Sequence, residues 1–137
     1  MTVDRVLWNE MFSALYADED VPPEQATSKY IDYFNQGTDF LAESNFPLAI
    51  ASLLKALGIY DRYFLVPEVQ TSTEIFWKQL VQTRSQLLIK LGFAALGMDF
   101  RDMTKAFWER AVKEGVSNET LENFRRWSKQ FDLDWNY

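Results

Sequence analysis

Apolar residues recur along this chain at intervals of three and four, and nowhere do they alternate one-in-two between turn signals. That spacing is helical, because residues three and four apart share one face of a helix, whereas a half-buried strand needs strict alternation. Val6, Leu7, Met11, Ala14 and Leu15 set the pattern and predict an amphipathic helix over residues 3–17. Only five Gly and four Pro punctuate 137 residues, too few for a turn-rich all-β fold. The length suits a single α-helical domain, residues 1–137, able to bury a core unaided.

The breaks place the later helices. Val21-Pro22-Pro23-Glu24 suits a helix start, where missing N–H groups cost nothing and a carboxylate meets the positive end of the dipole. A second helix is expected over about 23–43. Ser44-Asn45 offers a cap and Pro47 falls in the first turn of a third helix, which ends near residue 60. Residues 61–70, with Pro67, read as a connection that packs down through Leu65-Val66. Thr71 and Glu74 have capping-box spacing ahead of a long fourth helix through about 96, its apolar side formed by Ile75, Phe76, Leu80, Leu87, Leu88 and Leu91. After a turn at 97–99, a fifth helix over about 100–114 stops at Gly115. Ser117 or Asn118 caps a sixth, which carries Leu121, Phe124, Trp127 and Phe131. The expectation is all-α: about six helices in antiparallel hairpins, the first at about 23–60 and the second at about 71–114, with a capping helix and tail at 117–137.

Two zeros exclude much chemistry. With no Cys and no His, thiol nucleophiles, imidazole acid–base steps, disulfides and Cys/His zinc sites all fall away. Asp18-Glu19-Asp20 sits before prolines and Asp99 and Asp102 at a helix start, where solvation and capping account for them. No phosphate-cradling Gly loop or nucleophile elbow is present. No catalytic residue, metal site or cofactor is therefore expected. The net charge of −6 is uneven. Residues 1–45 hold nine Asp/Glu against Arg5 and Lys29, whereas 46–137 hold eleven against twelve Lys/Arg. Such acidity disfavours nucleic acid and anionic membrane, and its N-terminal concentration would suit a basic partner. Asp4, Arg5 and Glu10 interrupt any apolar leader and no run is long enough to span a bilayer, so a cytoplasmic location is expected.

The most specific pattern is Tyr33, Gly37, Phe40, Ala49, Leu53 and Ala56. It resembles one tetratricopeptide repeat, a helix–turn–helix unit of about 34 residues, although Gln36 and Asp61 depart from the usual residues. Leu88, Leu91, Gly92, Ala95, Trp108 and Ala111 form a second, degenerate copy, with Thr104 where a small residue is usual. Gly and Ala at such positions let two antiparallel helices approach closely. The resemblance implies a tetratricopeptide-like α-α superhelix that binds a peptide or partner helix in a groove lined by the first helix of each hairpin. It places Ile31, Phe34, Asn35, Thr38 and Leu41 in that groove from the first copy, and Gln86, Ile89, Lys90 and Phe93 from the second. Lys90, helped by Arg84 on the same helix, would neutralise a carboxylate. Phe34 stands where the family's terminal-carboxylate clamp has Lys, so an apolar or helical ligand is the expectation. The protein would then be an interaction module: an adaptor, assembly factor or regulatory subunit. An open hairpin end would also allow a homodimer.

The tail Phe131-Asp132-Leu133-Asp134-Trp135 lies beyond the last helix, and Trp135 reads as the exposed anchor of a partner surface, although folding back over its own hairpin is favoured. Trp77 and Trp108 read as core. A rival function rests on residues 111–129, where Ala111, Gly115, Val116, Ser117 and Leu121 resemble a DNA-binding helix-turn-helix, with Arg125, Arg126 and Lys129 toward phosphates. Against it, the would-be recognition helix opens with Asn118-Glu119 and carries Glu122.

Overall fold

The computed structural model describes residue 16, residues 21–63 and residues 74–135, the side chains of 74–83 excepted. The expected first helix, the 64–70 part of the connection and the Thr71 cap lie outside the described residues, Tyr16 apart. Five α-helices and no strand are present among the described residues, so the chain is all-α. They are α1 (Ala26–Ala42), α2 (Phe46–Tyr63), α3 (Glu74–Gly97), α4 (Arg101–Glu114) and α5 (Asn118–Gln130). None of these is long and apolar enough to cross a membrane.

Local chemistry fixes the helix ends. Pro22 and Pro23 start a 3-10 turn, Pro23–Gln25, closed by Gln25 N–H on the Pro22 carbonyl at 2.9 Å, and α1 continues from it. α2 runs three residues past the expected stop near Tyr60. Its last turn gains side-chain partners: the Arg62 Nε donates to the Gly58 carbonyl at 3.1 Å, the Tyr63 hydroxyl to the Val21 carbonyl, and Asp61 accepts from Arg84. Gly115, at φ 105°, ends α4 in a conformation that L side chains avoid. Ser117 is the cap of α5, its Oγ accepting from Thr120 N–H at 3.1 Å.

The packing follows from where small residues lie. α1 packs along α2 and α3 along α4, with α2 against α3 between the two hairpins. α2 is the centre, with Ala49, Ile50, Leu53, Ala56, Ile59 and Tyr60 nearly or fully buried. Gly37 is buried where a Cβ would stand 2.6 Å from Leu53 Cγ, and Gly92 is where a Cβ would strike the Trp108 indole. In both hairpins, therefore, a glycine admits the large residue sixteen positions later. Thr104 occupies the second crossing without strain, because its hydroxyl, fully buried, donates to the Gly92 carbonyl at 2.9 Å.

α5 attaches differently. It meets α3 and α4 through rings rather than close backbone approach. Phe124 stacks on Trp108 at 5.2 Å and Trp127 stands edge-on to Phe93 at 4.7 Å. Trp135, offered as an exposed anchor, is half-buried, as the favoured folding back over its own hairpin implies. Its ring lies edge-on to Phe124 at 5.5 Å and to Trp108 at 6.4 Å, since Leu133 buries beneath the turn and pulls the tail back over the hairpin. Trp108 is core as expected, and the Trp77 side chain is outside the described set.

Candidate functional site

The sequence-predicted groove residues fall on α1 and α3, and the two helices bring several of them together. Lys90 Nζ lies 5.6 Å from the centre of the Phe34 ring, a cation–π contact that bridges the two helices. Leu41 and Phe93 meet across a shared cleft. Ile31 is 48% exposed, and Asn35 and Gln86 are exposed as well. The Thr38 hydroxyl is taken up by its own helix, donating to the Phe34 carbonyl at 2.9 Å. Ile89 is half-buried and its carbonyl accepts from the Trp108 Nε1 at 3.2 Å.

Arg84 does not belong to this face. Its guanidinium joins three helices: Nε reaches Asp61 Oδ1 at 2.7 Å, a second nitrogen reaches Asp61 Oδ2 at 3.0 Å, and the third pairs with Glu114. Burial alone would weaken its positive charge, but the hydrogen bonds and charge of Asp61, then those of Glu114, outweigh burial and hold its pKa above the usual arginine range. Tyr16 joins the same cluster, its hydroxyl donating to Asp61 Oδ2 at 2.6 Å. Burial and that carboxylate push the Tyr16 phenol up to about 12. The expectation that Arg84 would help Lys90 with a ligand carboxylate is therefore corrected: Arg84 is already spent on two carboxylates of its own chain.

The cleft that holds Leu41 and Phe93 has a volume of about 680 Å³. Leu41 is at the end of α1, Phe46 at the start of α2, Phe93, Leu96 and Gly97 at the end of α3, and Gln130, Phe131 and Asp132 where α5 ends. Asp99 and Arg101 complete its rim. Phe46 seals the floor over Gly97, where a Cβ would collide with its ring. Arg101 donates through Nε to Asp99 at 3.1 Å and through another nitrogen to the Phe131 carbonyl at 3.0 Å and the Asp132 carbonyl at 3.3 Å. These residues other than Leu41 and Phe93 were not singled out from the sequence as a site. They are ends of elements, and only the hairpin geometry assembles them.

Comparison with known proteins finds no family model, no curated protein and no solved structure that matches this chain.

The cleft has the size of a ligand site and its walls are apolar, which suits burial of side chains from another molecule. Among the described residues no cluster of three acidic groups could hold a metal ion. On the far side of α5, Arg125, Arg126 and Lys129 border a second hollow with Glu122 and Trp135. Arg125 pairs with Glu122, and Arg126 donates to Asn123 at 2.7 Å, so two of the three cations of the helix-turn-helix reading are engaged along their own helix.

Proposed function

We propose that this chain is a protein–protein interaction module, acting as an adaptor, assembly factor or regulatory subunit. It takes an apolar peptide or partner helix along the α1–α3 face and into the cleft at its end, as tetratricopeptide-like hairpins do. The observation that carries this reading is the cleft itself: five large apolar side chains, Leu41, Phe46, Phe93, Leu96 and Phe131, surround an open volume of about 680 Å³. Burying an apolar partner there removes that surface from water at roughly 25 cal/mol per Å². Phe34, Lys90 and the exposed Ile31 extend the same face along α1 and α3. The proposal assigns binding and no reaction.

The test is affinity capture from native extract with the wild-type chain, Leu41→Asp and Lys90→Glu, each checked for an unchanged helical circular dichroism spectrum. The partner is expected to be lost with Leu41→Asp and reduced with Lys90→Glu. A partner held equally by all three chains would refute this use of the face, and loss only on Arg125→Ala with Arg126→Ala would move the function to α5.

A further inference from the structure

We infer that the cleft takes a cationic amphipathic segment: a partner peptide whose apolar side chains enter between Leu41, Phe93 and Phe131 while its Lys or Arg side chains lie against Asp99 and Asp132. The inference rests on the binding reading above and specifies the partner's chemistry.

Three helices end at this cleft, α1, α3 and α5, and each ends in the same turn. Asn45 N–H bonds to the Phe40 carbonyl at 2.8 Å, Phe100 N–H to Ala95 at 2.9 Å, and Leu133 N–H to Ser128 at 2.7 Å. Such a turn puts one residue in the left-handed region, where glycine is the usual choice. Here the residues are Ser44 at φ 60°, Asp99 at φ 60° and Asp132 at φ 55°. Aspartate is among the few side chains that visit this region, but a carboxylate at a helix C-terminus faces the negative end of the dipole. That mismatch occurs at Asp99 and again at Asp132, and both residues line the cleft. Local rules give way chiefly where another demand is met.

The field at the rim supplies that demand. Arg101 is the lone cation among the lining residues, and its ion pair with Asp99 leaves Asp132 as the net negative charge of the rim. Three helix C-termini meet the two N-termini of α2 and α4, and Arg101 caps the α5 end through the Phe131 and Asp132 carbonyls, so the helix ends nearly balance and the sign of the rim comes from the aspartates. No basic residue stands in the last turn of α1 or α3. The cations of α5 border the other hollow instead. An apolar cleft with a negative rim selects apolar segments flanked by positive charge, because opposite signs speed encounter and like signs are rejected. Lys90, farther along the face beside Phe34, sets the direction: the partner's basic end belongs at the cleft.

The experiment uses the full chain and two fluorescein-labelled amphipathic helical peptides with the same leucine face, one flanked by Lys and the other by Glu, read by fluorescence anisotropy at low and high salt. The Lys peptide is expected to bind about tenfold tighter at low salt, with the preference shrinking as salt screens the rim. Asp99→Asn with Asp132→Asn should abolish the preference. Glu24→Gln with Glu119→Gln, which removes equal charge at helix starts, should keep it. Asp99→Gly with Asp132→Gly should lose the preference while raising the melting temperature, so loss cannot be ascribed to unfolding. Equal binding of both peptides, tighter binding of the Glu peptide, or a preference unmoved by the Asp variants would overturn the inference and leave the binding reading standing. Binding of neither peptide, or a concentration-dependent dimer of the chain that Leu41→Asp dissociates, would overturn both.

Discussion

Arg84 shows how a residue chosen for one role by its position in a pattern is claimed by another through its neighbours. Its side chain is only 12% exposed, beside Asp61 at 16% and Glu114 at 21%. Removing one partner from such a cluster leaves the others desolvated and unpaired, which costs more than the cluster itself contributes. Arg84→Met is expected to destabilise the protein by about 2–3 kcal/mol in urea unfolding, the figure for a buried pair discounted for residual exposure. Adding Asp61→Asn and Glu114→Gln to that variant should recover much of the loss. Tyr16 gives the same cluster a pH signature. Its phenol is raised from 10.0 to about 12, and burial raises Tyr30 from 10.0 to about 12 as well. A raised acid favours the folded state while it stays protonated, so this stability is complete below pH 10 and declines as pH climbs from 10 through 12. Thermal melts should hold steady to the lower limit and then fall, and Tyr16→Phe should make the fall shallower. Tyrosinate absorbance followed alongside would show whether ionisation and unfolding coincide.

At the scale of elements, each hairpin turns on one glycine. A Cβ at Gly37 meets Leu53 at Cγ and, at 3.3 Å, at its backbone nitrogen, so the side chain alone cannot yield enough. At Gly92 the obstacle is the Trp108 ring, held by its own hydrogen bond to Ile89 and by Phe93, Phe124 and Trp127 around it. Gly37→Ala and Gly92→Ala are each expected to cost about 1–3 kcal/mol by overpacking, despite the better helix propensity of alanine. Gly92→Ala should be the worse, since an indole in a ring cluster moves less easily than a leucine. Chemical denaturation of the two variants decides the order. Both glycines were visible in the sequence because close helix crossings demand small residues at a fixed spacing, and the breaks and caps located α1 to α5 within a few residues. The last turn of α2 was not visible, because Asp61, Arg62 and Tyr63 are held by partners at Arg84, Gly58 and Val21, some of them distant in sequence. The cleft was legible only at Leu41 and Phe93. Asp99 and Asp132 looked like turn and tail residues, and nothing local says that the two turns share one rim.

At the scale of the whole molecule, stability is unevenly distributed, and the cleft lies on the boundary. α2 is enclosed by α1 and α3, and its Ala49, Leu53, Ala56 and Ile59 have no exposed surface. α5 is held by the rings of Phe124 and Trp127 and by Leu133 under the turn, with little close backbone packing. An element attached through a few large side chains can lift as a unit without opening the core, so its amides should exchange with solvent at a lower free energy than those of α2. Native-state hydrogen exchange is expected to rank α2 slowest and α5 among the fastest of the described helices. Trp127→Ala should remove contacts with Phe93, Phe124 and Trp108, cost about 3 kcal/mol, and speed α5 far more than α2. Phe131 and Asp132 form one wall of the cleft and follow directly from α5, whereas Leu41, Phe46 and Phe93 belong to the hairpins. A ligand that spans the cleft therefore bridges the loosely held element and the rigid one, and its binding energy is added to the weak attachment of α5. The leucine-faced Lys peptide should slow exchange across α5 while leaving α2 nearly unchanged. Uniform slowing of every helix would mean that the molecule opens only as a whole and that α5 is no separate unit.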